Sequence, residues 1–208
     1  MKGGWNMFNL GARAGVALIS AAAIASVLGQ PTFAQQGKEP SDKVVNLMMR
    51  FAWQLTPPKF SSPAGKTIEV DKKKPKEVTI PFEAARQVVL VGHRSAHAQL
   101  CGLAEEHVAN FKTLMRREEK SEKWTDQQLL FIQRLHQATY MYVTGKAGFE
   151  IETEDGKVIK SEAKTNITEE CTDAKRKNLK DQIKTYIKDG AALPHKTAEP
   201  AKGGAQKK

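Results

Sequence analysis

The chain is poor in cysteine and aromatic side chains, and it lacks the local motifs that mark the common enzyme families. Cysteine occurs twice in 208 residues and aromatics make up 7%, so redox or metal chemistry rests on very few side chains. There is no Cys-x-x-Cys pair, which removes a thioredoxin-like role. There is no Gly-x-Ser-x-Gly elbow, no phosphate-cradling glycine loop and no dinucleotide fingerprint. No basic helix interleaved with aromatics is found, so nucleic acid is not an expected partner. No internal repeat is apparent. The longest apolar run, Ala14 to Leu28, covers about 15 residues, short of the roughly 20 that span a bilayer, and Gly29 and Pro31 end it.

What the amino terminus does have is order. Lys2 and Arg13 precede the apolar run, and the small-residue stretch Thr32-Phe33-Ala34 follows it, ahead of Gln35-Gln36. That succession is the pattern of a secretory signal peptide over residues 1–34, with cleavage between Ala34 and Gln35. No cysteine lies near the cut, which argues against a lipid anchor, and no membrane span remains after cleavage. The Ala-rich core suits a bacterial leader. The expected address is the periplasm, with full secretion as the alternative.

The mature chain would keep about 174 residues, enough for one domain with its own core. Losing Lys2 and Arg13, and no acids, takes the net charge from +10 to +8. Lys66, Lys72, Lys73, Lys74 and Lys76 form one local cluster and the carboxyl terminus another. A basic exported chain points to a protein partner or an anionic envelope polymer.

Residues 35–40 read as a linker, 41–190 as a single helix-rich α+β domain, and 191–208 as a disordered basic tail with almost nothing to bury. Within the domain the pattern predicts about four helices. Ser41 caps the first, which runs to about Leu55 and stops before Pro57-Pro58. Pro81 starts a long helical stretch to about Lys120, with breaks expected at Gly92 and Gly102. Thr125 and Gln128 form a capping-box pattern for the next helix, which Gly145 stops. The last runs from about Thr168 to Asp189 and ends at Gly190.

Two β-hairpins are expected to accompany these helices and to pair into a small antiparallel sheet. Thr67–Val70 and Glu77–Ile80 alternate like half-buried strands, joined by a lysine-rich turn that places its charges in water. Phe149 to Glu162 carries Asp155-Gly156, a strong two-residue turn signal. That turn would put Phe149, Ile151, Thr153 and Val158 on one face. Trp53, Phe111, Trp124, Phe131 and Tyr142 are the expected aromatic contributors to the core.

Cys101 and Cys171 are expected to form a disulfide, because an exporting compartment oxidises paired thiols. The bridge closes a loop of about 70 residues, worth roughly 4 kcal/mol on the chain-entropy model. The competing reading is metal. His93, His97 and Cys101 follow each other at i, i+4, i+8, with Glu105 one turn further and His136 on the next helix, and imidazole and thiolate suit zinc or copper. His93-x-x-x-His97 lacks the Glu of a zinc-protease helix. A bridged Cys101 would leave the set, and the neighbouring Leu90, Val108 and Phe111 make packed core histidines an equal explanation.

Calcium fits poorly. An EF-hand alignment on Asp155-Gly156 places Glu162 at position 12 but puts Ile151 and Thr153 where oxygen ligands belong. Glu105, Glu106, Glu118 and Glu119 read as solvated helix faces, and Asn166-Ile167-Thr168 matters only in a eukaryotic secretory pathway. No cofactor is called for. The leading expectation is a non-enzymatic exported protein that binds a macromolecular partner or supports an envelope process. The alternatives are a metal-binding protein using His93 and His97, and an enzyme whose site, of unknown residues, is assembled only by the fold.

Overall fold

The structure is a computed structural model that describes residues 39–62, 65–152, 156–162 and 170–189. The leader with its Ala34–Gln35 junction, most of the linker, the Asn166 sequon and the basic tail lie outside the described residues. Among the described residues there are six helices, more than the four or so expected, and two separate two-stranded antiparallel sheets, a mainly helical α+β fold.

Helix α1 (Asp42–Leu55) buries Val44, Val45, Leu47, Met48, Phe51 and Ala52 on one face. Ser41 sits at its cap in extended backbone without a side-chain cap bond. The helix stops at Thr56, and Lys72 closes its end, donating to the carbonyls of Trp53 and, at 2.8 Å, Thr56. The same ammonium lies 3.8 Å from the centre of the Trp53 ring.

The first hairpin is displaced from its expected position. Strand β2 (Thr67–Glu69) pairs backwards with β1 (Lys59–Ser61), Phe60 opposite Ile68. The segment expected to be its partner is instead a helical turn, α2 (Pro75–Val78). Proline lacks the N–H a ladder needs and suits a first helical turn, while Asp71 Oδ1 takes the Lys73 N–H and turns the chain early. Val78 and Ile80 are both buried, and their alternation came from that burial rather than from a strand. Of the lysines of this segment Lys72 alone is half-buried; Lys66 and Lys74 stay exposed while pairing with Asp126 at 2.7 Å and Glu77 at 3.2 Å.

The long helical stretch breaks once. Helix α3 (Phe82–Leu100) ends where Gly102 turns left-handed, φ 74°, and the Leu103 N–H reaches the Ala98 carbonyl at 2.8 Å. That closure needs glycine. Helix α4 (Ala104–Lys120) follows. Gly92, expected as a second break, stays helical because helix α5 (Asp126–Thr144) crosses there. A Cβ on it would stand 2.9 Å from Thr139 Cβ and 3.2 Å from the His136 carbonyl oxygen. The capping box forms, with Gln128 N–H to Thr125 Oγ1 at 3.2 Å and Thr125 N–H to Gln128 Oε1 at 3.1 Å, and Gly145 (φ 65°) ends the helix.

Strands β3 (Phe149–Glu152) and β4 (Val158–Ser161) make the second hairpin, with Ile151 opposite Ile159 and Glu152 opposite Val158. The register is one residue away from that of a two-residue turn, so Val158 points outward, 50% exposed, and Ile159 takes its place beside Ile151. A slip of one residue changes the face. On the free side of β3, Arg50 and Gln54 of α1 donate to the carbonyls of Glu152 and Glu150 at 3.0 and 2.9 Å. Helix α6 (Asp173–Asp189) begins later than expected, because Thr172 Oγ1 takes the Lys175 N–H at 3.2 Å, leaving Cys171 just outside.

Phe131 is fully buried at the centre, while Trp53, Phe111, Trp124 and Tyr142 are half-buried. A second, smaller apolar cluster joins Ala98 and Leu103 to Leu179 and Ile183 of α6.

Candidate functional site

The glycine turn that ends α3 presents Cys101 toward the lead-in to α6, and Cys101 is bonded to Cys171, with Cα atoms 5.4 Å apart. Arg176 donates from Nε to the Cys101 carbonyl at 3.0 Å, fixing the same junction from the α6 side. Cys101 is 2% exposed. It is therefore spent as a bridge and is not a thiolate ligand.

His93 and His97 do meet. Their Nε2 atoms are 3.0 Å apart and their ring centres 4.2 Å. Burial pushes His93 down to about 3, helped by the charges of His97 and Arg94, so it is neutral at ordinary pH. The rest of the expected stack disperses. Gly102 starts a new helix before Glu105, and His136 belongs to another contact. Among the described residues no three His, Cys, Asp or Glu side chains gather as a metal group.

Between α3, α4 and α5 lies a polar seam that sequence reading did not single out. Asn110 uses both amide hydrogens, one to the Val91 carbonyl at 3.0 Å and one to Ser95 Oγ at 2.9 Å. Ser95 Oγ also shares a hydrogen bond with His136 Nε2, 2.9 Å away, the donor being set by the tautomer of the imidazole. His107 Nδ1 stands 3.2 Å from the Ser95 carbonyl oxygen, to which its N–H can donate. Burial pushes His136 down to about 3, with a smaller contribution from the charge of His107. A serine against a histidine is the arrangement of an activated nucleophile. Here Ser95 and Asn110 are both fully buried, so no substrate reaches the hydroxyl and the contact holds helices together. The available signal was a polar residue inside each helix's apolar stripe, Ser95 in α3 and Asn110 in α4. At the outer end, Phe111 stacks on His136 and Tyr140 on His107, centres 4.7 and 4.9 Å apart, beneath an open cavity of about 380 Å³.

A second cavity, of about 330 Å³, opens where α3, α4 and α6 approach one another. Its floor is aliphatic: Ile80, Val88, Val91, Leu114 and Ile132. Its rim carries Arg117, Lys123, Trp124 and Tyr186, with Glu118 between them. Glu118 Oε2 accepts the Trp124 indole N–H at 2.6 Å. The Arg117 guanidinium lies over the Tyr186 ring, 5.0 Å from its centre. Arg94, one helical turn beyond Val91, is half-buried and close enough to perturb Tyr186. Burial lowers the Arg94 pKa and raises that of Tyr186, the latter opposed by the Arg117 charge. Among the described residues no carboxylate forms an ion pair with Arg94, Arg117 or Lys123. By contrast Glu106, one of the acids read as solvated, pairs with Lys180 at 2.8 Å.

A scan against protein-family models, a search of curated proteins and a search of solved structures each returned no match.

Proposed function

We propose that this chain is an exported, non-enzymatic protein of the bacterial periplasm that works by binding a partner, a protein or an anionic envelope polymer. The observation that carries the reading is the Cys101–Cys171 bridge at the junction of α3 and α6, with Cys101 buried and Cys171 half-buried. A bond placed there to hold the last helix is of use in a compartment that keeps thiols oxidised. The sealed state of Ser95 and His136 favours binding over acyl chemistry. Of the clustered lysines, Lys66, Lys72 and Lys74 have contacts within the chain, so Lys73 and Lys76 are the exposed members left to meet a polyanion. Expression of the full chain in a bacterium, followed by fractionation and amino-terminal sequencing, tests the address. A periplasmic product beginning at Gln35 and free of reactive thiol is expected. A full-length cytosolic product with two free thiols overturns it. Capture from envelope extract at low and high salt then separates a polymer held by charge from a protein partner.

A second reading, metal binding, is favoured by one distance. Two imidazoles on a tetrahedral ion, each at 2.0–2.1 Å, hold their nitrogens about 3.3 Å apart, close to the 3.0 Å between His93 and His97. Zinc or copper retained by untagged protein and lost in His93→Ala supports it. A chain that takes up neither ion refutes it.

A further inference from the structure

The cavity bounded by α3, α4 and α6 combines features that a merely structural gap does not need. Its floor is branched aliphatic, and its rim holds Arg117, Lys123 and Glu118, with Arg94 outside the lining but within electrostatic reach of Tyr186; neither arginine has a carboxylate ion-pair partner among the described residues. A half-buried cation without a counter-charge costs stability, and a fold tolerates it most readily where an anion completes the site. The volume lies at the lower end of small-molecule sites, about 300–1,000 Å³, so a folded partner protein does not fit inside it.

From this geometry we infer that the cavity binds a small amphipathic anion: an unbranched aliphatic body on Val88, Val91, Leu114 and Ile132, and a single carboxylate or phosphate head between Arg117, Arg94 and the Tyr186 hydroxyl. The guanidinium forks match either head group. Glu118 shares the rim as a carboxylate, with Oε2 turned to the Trp124 indole, so the head group belongs on the arginine side of Tyr186. The inference stands apart from the export reading, since it concerns the folded domain in any compartment.

The test uses the purified full chain and three probes of one length: octanoate, octyl phosphate and 1-octanol. Titration calorimetry gives affinity, and the indole N–H resonance of Trp124 at the cavity rim gives location. Saturable binding of at least one anion is expected, at least tenfold tighter than the alcohol and with the Trp124 resonance shifted. Arg94→Gln and Arg117→Gln, checked for native circular dichroism, should each weaken the anion at least tenfold and leave the alcohol unchanged. Tighter octanoate identifies a free carboxylate, and tighter octyl phosphate a phosphate-headed lipid fragment. Either result supports the site. No saturable anion binding, equal affinity for the alcohol, or unchanged affinity in both variants overturns it.

Discussion

On the α5 side of α3, Ser95, Asn110 and His136 bond to one another and to the backbone at 2.9–3.0 Å, deep in the protein. On the α6 side, Arg94 and Arg117 lie half-buried around Tyr186 with no carboxylate among the described residues to meet them. The two regions share a helix and differ in how far their polar groups satisfy each other: the neutral seam leaves only Asn110 Oδ1 without a partner, whereas the other side holds charge. Buried groups that do so specify packing, whereas uncompensated charge beside an aliphatic floor leaves a place for something else. The contrast separates structural polarity from binding polarity without reference to any relative.

The largest effect expected is on the α6 side. Reducing the bridge, or replacing Cys101 and Cys171 together by Ala, should lower unfolding stability by about 4 kcal/mol on the chain-entropy model. Denaturant curves with and without reductant measure it. Hydrogen exchange should show α6 amides losing protection before those of α3 and α5. The opposite order would break the division between the two regions.

The seam comes next. Asn110→Ala opens a cavity and removes two donors, leaving the Val91 carbonyl with only its helical bond and Ser95 Oγ with only His136, at a cost of about 2–4 kcal/mol. A loss below about 1 kcal/mol would mean that the seam does not hold the helices.

Acid acts on two of the histidines of the interior. His93 and His136 have folded pKa values pushed down to about 3, against about 6.5 in the unfolded chain. The unfolded state binds the protons first, so stability is fully present above about pH 6.5 and is lost as pH falls toward 3. At pH 5 the loss is about 2 kcal/mol per histidine. His136→Gln should flatten half of that slope in melts between pH 7 and 5, and an unchanged slope would show that His136 is not held neutral.

Much of the fold was legible because local signals agree with tertiary demands at Thr125–Gln128, Gly102 and Gly145, and because the two cysteines pair. The failures have physical causes. Val78 and Ile80 alternate as strand residues do, yet they are buried by a helical turn and the residue beyond it, and Pro75 was the signal against a ladder. Gly92 looked like a breaker, although it is the point at which α5 passes too close for a Cβ. The histidine pair was visible from i, i+4 spacing alone. The two cavities were not, since Arg94, Arg117 and Tyr186 come from three helices and only the fold brings them together.

The smallest expected change in stability is also the most direct test of the contrast. Arg94→Met keeps the aliphatic stem and removes only the charge. Without ligand, its unfolding midpoint should equal or exceed that of the wild type, within about 1 kcal/mol, since an unpaired half-buried cation is being relieved. The stabilisation that the tighter of octanoate and octyl phosphate gives the wild type should disappear. A ligand-free loss of about 2 kcal/mol or more would show that Arg94 is satisfied within the fold, and would contradict the account.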